Sequence, residues 1–182
     1  MLTPAQLSNA RERAAVALAE AGIVLTPVER ESIEVADFGL SRLDEMGLEL
    51  VVYVNTERVC AKELVLFPRQ TCPEHRHPPF EGTPGKEETF RCRSGVVYVY
   101  TQGEPTADPV ARVPEQDRQW LTVWHQIVLG PGEQHIIPPN TLHWFQAGDD
   151  GAIVSEFSTQ SRDELDVFTD PRIGRATIVA GA

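Results

Sequence analysis

The spacing of hydrophobic positions changes from helical to strand-like partway along the chain. Before this change, an apolar stripe predicts a first helix over residues 4–21, because positions three and four apart share one helix face. Thr3 can cap this helix, Pro4 suits its first turn, and Gly22 can end it. The stripe is shallow and rich in alanine, so we expect the helix to pack on a sheet or on a partner subunit. A threonine–proline–acid pattern at residues 26–29 predicts a second, short helix.

From residue 48 onward, short runs of apolar residues predict strands. The predicted strands are 48–54, 59–67, a strand with His75 and His77, 87–93, 96–101, 121–129, 134–137, 143–145 and 152–157. Ser94-Gly95 lies between two of these strands and predicts a tight hairpin. Segments 78–85 and 102–118 are rich in proline, glycine or polar residues and predict loops.

Short strands separated by regular turns indicate an all-β body, either a closed barrel or a sandwich. We therefore predict three parts within the 182 residues of the chain. Residues 1–47 form an N-terminal helical extension, and residues 48–160 form the β-barrel. Residues 161–182 form a C-terminal tail that packs over or near the barrel.

Composition and charge restrict the class of protein. The formal net charge is −11, which argues against nucleic acid or an anionic membrane as a partner, because both attract a basic surface. No apolar run approaches the roughly 18 residues of a membrane span, and the start of the chain lacks a signal-peptide pattern, so we expect a cytoplasmic protein. The three cysteines form no Cys-x-x-Cys pair, so we expect reduced thiols rather than disulfides or a cysteine zinc site.

Two histidines one residue apart, His75 and His77, give the strongest chemical signal in the sequence. On a strand they point to the same side, because side chains alternate between the two faces. Glu88 follows after a loop, and His143 lies far downstream. Three imidazoles and one carboxylate suit Mn, Fe, Ni, Co or Zn better than Ca or Mg, which prefer oxygen ligands. A His-x-His pair alone is also common in exposed turns and in cores, so the later residues decide its meaning.

The spacing of the later residues resembles the sequence motifs of the cupin family. The first cupin motif is matched by His75-x-His77, then Glu88, then six residues and Gly95. The gap between the second histidine and the glutamate is longer than is usual in that family.

The second cupin motif lies further along the chain. It is matched by Gly132, Pro138 and His143 at the family's spacing, whereas Asn140 replaces a glycine and Ala147 replaces the last asparagine. The first replacement is mild, because asparagine tolerates the left-handed backbone of a tight turn. The resemblance implies a cupin β-barrel, jelly-roll-like in topology, that carries a metal site.

Within the cupins, nearly the whole chain resembles the D-lyxose isomerase family. The segments that carry this resemblance are 37–40, 52–56, 61–64, 72–77, 85–91 and 170–175. The resemblance implies a homodimeric, Mn2+-dependent D-lyxose ketol-isomerase that interconverts D-lyxose and D-xylulose, and often D-mannose and D-fructose. It also implies a set of metal ligands, which are His75, His77, Glu88 and His143. Co2+, Ni2+, Fe2+ or Zn2+ can replace Mn2+ in such a shell, since metal affinity follows availability as well as ligand type.

Aldose–ketose isomerisation needs more than a metal. The reaction moves a hydrogen between C1 and C2 of an open-chain sugar, so a base must shuttle a proton while the metal polarises the sugar oxygens. Lys86 lies two residues before Glu88 and shares its face, so its ammonium can contact a substrate oxygen, unless it only forms a structural ion pair. Glu156 is the candidate base, although a surface glutamate is an equal interpretation of the sequence.

Three further residues are candidate sugar ligands. Asp163 and Asp166 lie in a polar tail that can fold across the opening of the barrel or remain solvated. His135 lies on a predicted strand, where packing inside the barrel competes with a role in the site. Trp144 and Phe145 point to opposite faces of their strand, so only one of them can form an apolar wall for a sugar.

Three other functions use a similar site or fold. A cupin dioxygenase or lyase can use the same histidine and glutamate shell with Fe or Ni. A non-catalytic sugar-binding cupin would lack an intact set of ligands, which this chain retains. A sugar-phosphate isomerase would need a cationic pocket, for which Arg69, Arg91 and Arg93 are available. The overall resemblance favours a small, unphosphorylated monosaccharide as the partner.

Overall fold

The computed structural model describes residues 1–181 and shows a mostly β protein. The helices are α1 (Pro4–Glu20), α2 (Pro27–Glu31) and α3 (Glu115–Arg118), and a 3₁₀ turn spans Asp163–Leu165. The strands are β1 (Glu34–Ala36), β2 (Leu48–Asn55), β3 (Cys60–Leu66), β4 (Thr71–Arg76), β5 (Glu88–Thr101), β6 (His125–Leu129), β7 (Gln134–Ile137), β8 (His143–Ser158) and β9 (Val167–Phe168). The prediction of an all-β barrel preceded by helices is confirmed.

The first two helices begin where the sequence predicts, because both carry a complete capping box. The side chain of Thr3 accepts from the backbone N–H of Gln6, and Thr26 does the same with Glu29. The alanine-rich face of α1 is buried around Leu18 and packs on the outer face of the sheet. Of the two partners that the sequence left open for this face, the sheet is therefore the one observed.

The strands form one antiparallel sheet that curls into a barrel. The pairing order is β1-β2-β3-β8-β4-β9, and β5 pairs with β6, β7 and β8. The two long strands, β5 and β8, run side by side and take part in both halves of the sheet. Apolar side chains fill the interior between the halves.

The prediction of a hairpin at Ser94-Gly95 was wrong, and so was the division of residues 143–157 into two strands. β5 passes through Gly95 without reversing, because bulges on either side of this position bend the strand instead. Gly95 has a φ of 70°, and a Cβ there would overlap the carbonyl oxygen of Gly151 on the neighbouring strand. Gly151, which precedes the cross-strand partner of Gly95, itself has a φ of 81°, so the bend occurs where two glycines lie close together. The predicted strand 121–129 also starts later, at His125.

The bend folds the β5–β8 ladder back on itself. One end of the ladder pairs Glu88 with Ser158, and the other end pairs Thr101 with His143. A straight ladder of this length would separate its ends by roughly 45 Å, at about 3.3 Å per residue. In the barrel, the carboxylate of Glu88 and the ring of His143 lie 3.0 Å apart. The closure of the barrel therefore brings two distant ends of one ladder into contact.

The C-terminal residues run over the barrel and return to the start of the chain. β9 pairs with β4, and the N–H of Thr169 donates to the carbonyl of Glu74. Beyond this point, the N–H of Ala180 donates to the carbonyl of Leu2. None of the described helices is long and apolar enough to cross a membrane. All three cysteines are buried and free.

Glu49 is a buried carboxyl group far from the histidines. It lies on β2, on the side of the sheet that α1 covers, and it is fully buried. One oxygen accepts a long hydrogen bond from Nε2 of Gln70, at 3.4 Å, and the other has no partner among the described residues. Burial raises the pKa of this carboxyl group to about 8.

We predict that Glu49→Gln stabilises the protein increasingly as the pH rises from 5 to 8. The pKa of Glu49 is higher in the folded protein than in the unfolded chain, so its contribution to stability is complete below about pH 4.3 and is lost as the pH rises through 8. Glutamine has the shape of the protonated acid and does not titrate. Urea unfolding at several pH values should show a gain on the order of a few kcal/mol at pH 8 and almost none near pH 4.5.

Glu20→Gln is the matched control, because Glu20 is exposed at the end of α1. Its effect on the free energy of unfolding should be small. A pH-independent effect of Glu49→Gln would contradict this prediction.

Candidate active site

Three histidines meet inside the barrel. His75 lies in β4, His77 directly follows that strand, and His143 is the first residue of β8. His75 and His143 are direct neighbours across the pair of strands. All three are buried, and their ring nitrogens lie within 4.8 Å of one another.

Each histidine donates a hydrogen bond from its Nδ1–H to an oxygen atom outside the cluster. The Nδ1–H of His75 donates to the carbonyl of Pro73 at 2.8 Å, and that of His143 donates to the carbonyl of Thr141 at 2.9 Å. The Nδ1–H of His77 donates to Oδ1 of Asp166 at 2.5 Å. These contacts leave the Nε2 atom of each ring as the available ligand atom.

The carboxylate of Glu88 completes the cluster. Its Oε1 lies 3.0 Å from Nε2 of His143 and 3.4 Å from Nε2 of His77. These three atoms are buried and have no hydrogen-bond partner among the described residues. Buried polar atoms are almost always paired, so the convergence of imidazole nitrogens on one carboxylate oxygen fits the ligand set of a divalent transition metal.

A buried ammonium connects Glu88 to the candidate base. The Nζ atom of Lys86 lies 2.6 Å from Oε2 of Glu88 and 2.6 Å from Oε1 of Glu156. Burial would lower the pKa of Lys86, but Glu156 and then Glu88 raise it well above its usual value. Glu156 is itself buried and lines the cavity, so the structure places it in the interior rather than at the surface.

Both aspartates of the tail reach the cavity, and both are already paired. Asp163 accepts from Nζ of Lys62 at 2.8 Å and from Nη2 of Arg175 at 3.2 Å. Its pKa is lowered, because Lys62 and Lys86 outweigh the effect of burial. Asp166 contacts His77 as described above. Their role as sugar ligands stays a prediction.

Sequence reasoning did not single out Lys62, Arg175 or Phe168, which line the cavity. Lys62 is an inward-facing residue of β3 between Cys60 and Leu64, so a lysine on the apolar side of a strand was an available signal. Arg175 and Phe168 come from the tail, and no local pattern points to them.

His135 is not brought to the cavity. It lies opposite Phe90, whereas Ile137 lies opposite Glu88. His135 therefore lies two residues further from the histidine cluster than the position opposite Glu88. Its ring is half-buried and does not line the cavity. Phe145 does line the cavity, and Trp144 packs in a separate cluster with Tyr100.

Two neighbouring cavities occupy the opening of the barrel. The inner cavity has a volume of about 40 Å³ and combines the charged residues with an apolar wall that includes Phe38, Phe145 and Phe168. An outer basin of about 640 Å³ lies beside it. His77, Lys86 and Asp166 line both, so they mark the boundary between the two cavities.

Comparison with known proteins identifies the class of this site. No model of a protein family matches the chain. The chain is 62% identical over 175 residues to the D-lyxose/D-mannose isomerase of Thermosediminibacter oceani, covering 96% of this chain and 97% of that protein. It is 63% identical over 175 residues to the D-lyxose ketol-isomerase of Thermofilum sp., again covering 96% of this chain and 97% of that protein. It is 60% identical to the D-lyxose ketol-isomerase of Cohnella laeviribosi, covering 94% of each chain.

Solved structures agree on the fold. The L-ribose isomerase of Acinetobacter sp. DL28 superposes with a TM-score of 0.83, over 98% of both chains and at 14% identity. The L-ribose isomerase of Cellulomonas parahominis superposes with a TM-score of 0.82, over 98% of both chains and at 17% identity. The fold is therefore that of the cupin-like sugar isomerases. The chain belongs to the D-lyxose ketol-isomerase family, so the predicted resemblance and the classification as an aldose–ketose isomerase are confirmed.

We predict that His143→Gln removes the stabilisation of the protein by Mn2+, because it deletes one of the converging Nε2 atoms. Mn2+ at 100 times its Kd should stabilise the metal-free wild-type protein by about 2.7 kcal/mol. This corresponds to a rise in Tm of roughly 5–10 °C for a chain of this size. A thermal melt with and without Mn2+ measures the difference.

His135→Gln is the control, since this histidine lies outside the cluster. It should keep the full rise in Tm. An equal loss in both variants, or a full rise in His143→Gln, would contradict the assignment.

Proposed function

We propose that this protein interconverts D-lyxose and D-xylulose, and also D-mannose and D-fructose, with a divalent metal as cofactor. The observation that carries the proposal is the buried cluster of histidines and Glu88 beside the Lys86–Glu156 pair. It occurs in a chain at least 60% identical to proteins named D-lyxose isomerases. Mn2+ is the metal we propose, on the basis of the family resemblance.

The metal would be held by His75, His77, Glu88 and His143. When bound, it supplies Lewis acidity that polarises the oxygens at C1 and C2 of the sugar. The protein contributes the pre-oriented Nε2 atoms and a buried carboxylate. Burial would raise the pKa of Glu88, but Lys86 and then His77 hold it well below its usual value, so this carboxylate is charged.

Glu156 is the proposed base. It takes the proton from C2 of the open-chain aldose and returns it to C1, while the hydroxyl proton at O2 moves to O1, so the ketose has the same atoms as the aldose. The ammonium of Lys86 contacts Glu156 at 2.6 Å and offsets negative charge that develops on the enediol.

The cavity also suggests how the sugar is held. Its apolar wall can cover the carbon chain, and Lys62 and Asp163 can bind hydroxyl groups. The inner cavity of about 40 Å³ adjoins the outer basin of about 640 Å³, so a sugar that reaches the histidines can extend into the basin.

An unphosphorylated sugar fits the charges better than a sugar phosphate. Arg69, Arg91 and Arg93 do not line the inner cavity, and their contacts are with Asp149, Gln134 and Ser155. Four carboxylates line the cavity against three lysine and arginine side chains. Each of these basic side chains is already paired with a carboxylate, so none of them is free to bind a phosphate.

We predict that Glu156→Gln lowers kcat for D-lyxose by about 10²–10⁴-fold, because it removes the proton acceptor and keeps the shape. The measurement is formation of D-xylulose by Mn2+-loaded protein, run in parallel in deuterated water. Uptake of solvent deuterium at C1 is the expected result for proton transfer through an enediol.

Glu133→Gln serves as the control, because Glu133 lies exposed in the turn between β6 and β7. It should leave kcat unchanged. No ketose from D-lyxose, D-mannose or their phosphates would exclude the isomerase, and oxygen uptake in its place would favour a dioxygenase.

We also propose that the partner of this chain is a second copy, in the cytoplasm. A row of side chains crosses five strands on the outer face of the sheet, in direct register. This outer apolar row consists of Val54, Ala61, Phe157, Thr89 and Ile136. Phe157 is 51% exposed and Ile136 is 54% exposed. Exposed apolar side chains grouped on one face of a sheet, as Val54, Ile136 and Phe157 are here, are typical of an interface.

We predict that Phe157→Glu converts a dimer into a monomer, because it places a charge in the middle of the outer apolar row, where the interface would have to bury it. Sedimentation velocity measures the change. Val28→Glu is the control, since Val28 is 74% exposed on α2 and lies outside the row. A monomeric wild-type protein would refute the dimer, and a dimeric Phe157→Glu variant would refute this surface.

A further inference from the structure

The three clustered histidines are not oriented in the same way. His75 and His143 each donate their Nδ1–H to a backbone carbonyl two residues earlier. These contacts are local, so each ring is fixed by the segment that carries it. His77 instead donates to the carboxylate of Asp166, which lies 89 positions further along the chain. One of the three rings therefore depends on a distant segment.

The position of Asp166 is fixed by the backbone around it. The 3₁₀ turn (Asp163–Leu165) ends just before it, and β9 begins just after it. In β9, Val167 pairs with Arg76 and Phe168 pairs with His75. The tail thus adds a strand to the edge of β4 and delivers the Asp166 carboxylate, which is largely buried, to His77.

We propose that Asp166 is a positioning residue for the metal centre. Its carboxylate holds His77 in the tautomer and orientation that present Nε2 to the metal, as an outer carboxylate does for many metal-bound histidines. The inference rests on the metal dependence proposed above. It assigns Asp166 a role toward a metal ligand instead of the direct contact with sugar that the sequence suggested.

The same geometry couples the tail to the metal. His77 is oriented only while the segment that carries Asp166 is docked on β4. Because coupling between two equilibria is reciprocal, a bound metal must stabilise the docked tail by the same factor by which docking raises metal affinity. The tail is therefore part of the metal centre and also a cover over the cavity.

Asp163 provides a matched comparison. It lies three residues earlier in the same tail, lines the same cavity, and is also paired with a buried basic group. Its contacts are with Lys62, Ser161 and Arg175, and it contacts none of the four proposed metal ligands. If substitution simply loosened the tail, Mn2+ affinity would fall in variants of both aspartates. If Asp166 positions His77, Mn2+ affinity falls only in the Asp166 variant.

The test is a calorimetric titration of metal-free protein with Mn2+ at fixed pH. Asp166→Asn keeps the size of the side chain and removes its charge, and it should weaken Mn2+ binding by about 10–100-fold. Asp163→Asn should bind Mn2+ nearly as tightly as the wild-type protein. Hydrogen exchange gives the reciprocal readout: Mn2+ should slow exchange over residues 161–170 in the wild-type protein and in Asp163→Asn, and much less in Asp166→Asn.

Each other outcome overturns the inference in a distinguishable way. Equal loss of Mn2+ affinity in both variants would show a general effect of the tail. Unchanged affinity in Asp166→Asn, together with a raised KM for D-lyxose, would make Asp166 a sugar ligand. No binding of Mn2+, Co2+, Ni2+, Fe2+ or Zn2+ by the wild-type protein would refute the metal dependence of the proposed function itself, and isomerase activity in that protein would then have to be metal-free.

Discussion

The site exists because the β5–β8 ladder is bent until its two ends meet. Glu88 and His143 belong to opposite ends of this ladder, yet their polar atoms lie 3.0 Å apart. The bend depends on two glycines that lie close together, Gly95 and Gly151, since a side chain at Gly95 would collide with the backbone of Gly151. β4 then pairs with the His143 end of β8 and adds His75. The geometry of the cluster is thus a property of the closed barrel rather than of any single loop.

Burial of so much charge constrains the remainder of the site. Four carboxylates line the inner cavity, and isolated buried charges are strongly unfavourable. Lys86 bridges two of them and Lys62 neutralises a third, in contacts of 2.6–2.8 Å. The lysine and arginine side chains do not balance all four, and the residual negative charge favours a cation among the histidines.

The sequence revealed the parts of this arrangement that are encoded locally. His75, His77 and Lys86 were found because strand alternation fixes the side to which neighbouring residues point. The same rule placed His135 on the correct face but could not tell how far along the ladder it lies. The bend at Gly95 was mistaken for a hairpin, since a bulge and a tight turn use the same small residues. Arg175 and Phe168 could not be predicted, because only the path of the tail brings them to the cavity.

The path of the tail has a consequence for the topology of the chain. After it crosses the barrel, the backbone near Val179 forms a parallel bridge with Leu2, so the two ends of the described chain lie side by side. A short peptide could join them with little cost in chain entropy, because the ends are already neighbours. New ends could then be opened in an exposed loop such as residues 102–109. In such a circularly permuted protein, the segment over the cavity would be held at both of its ends instead of one.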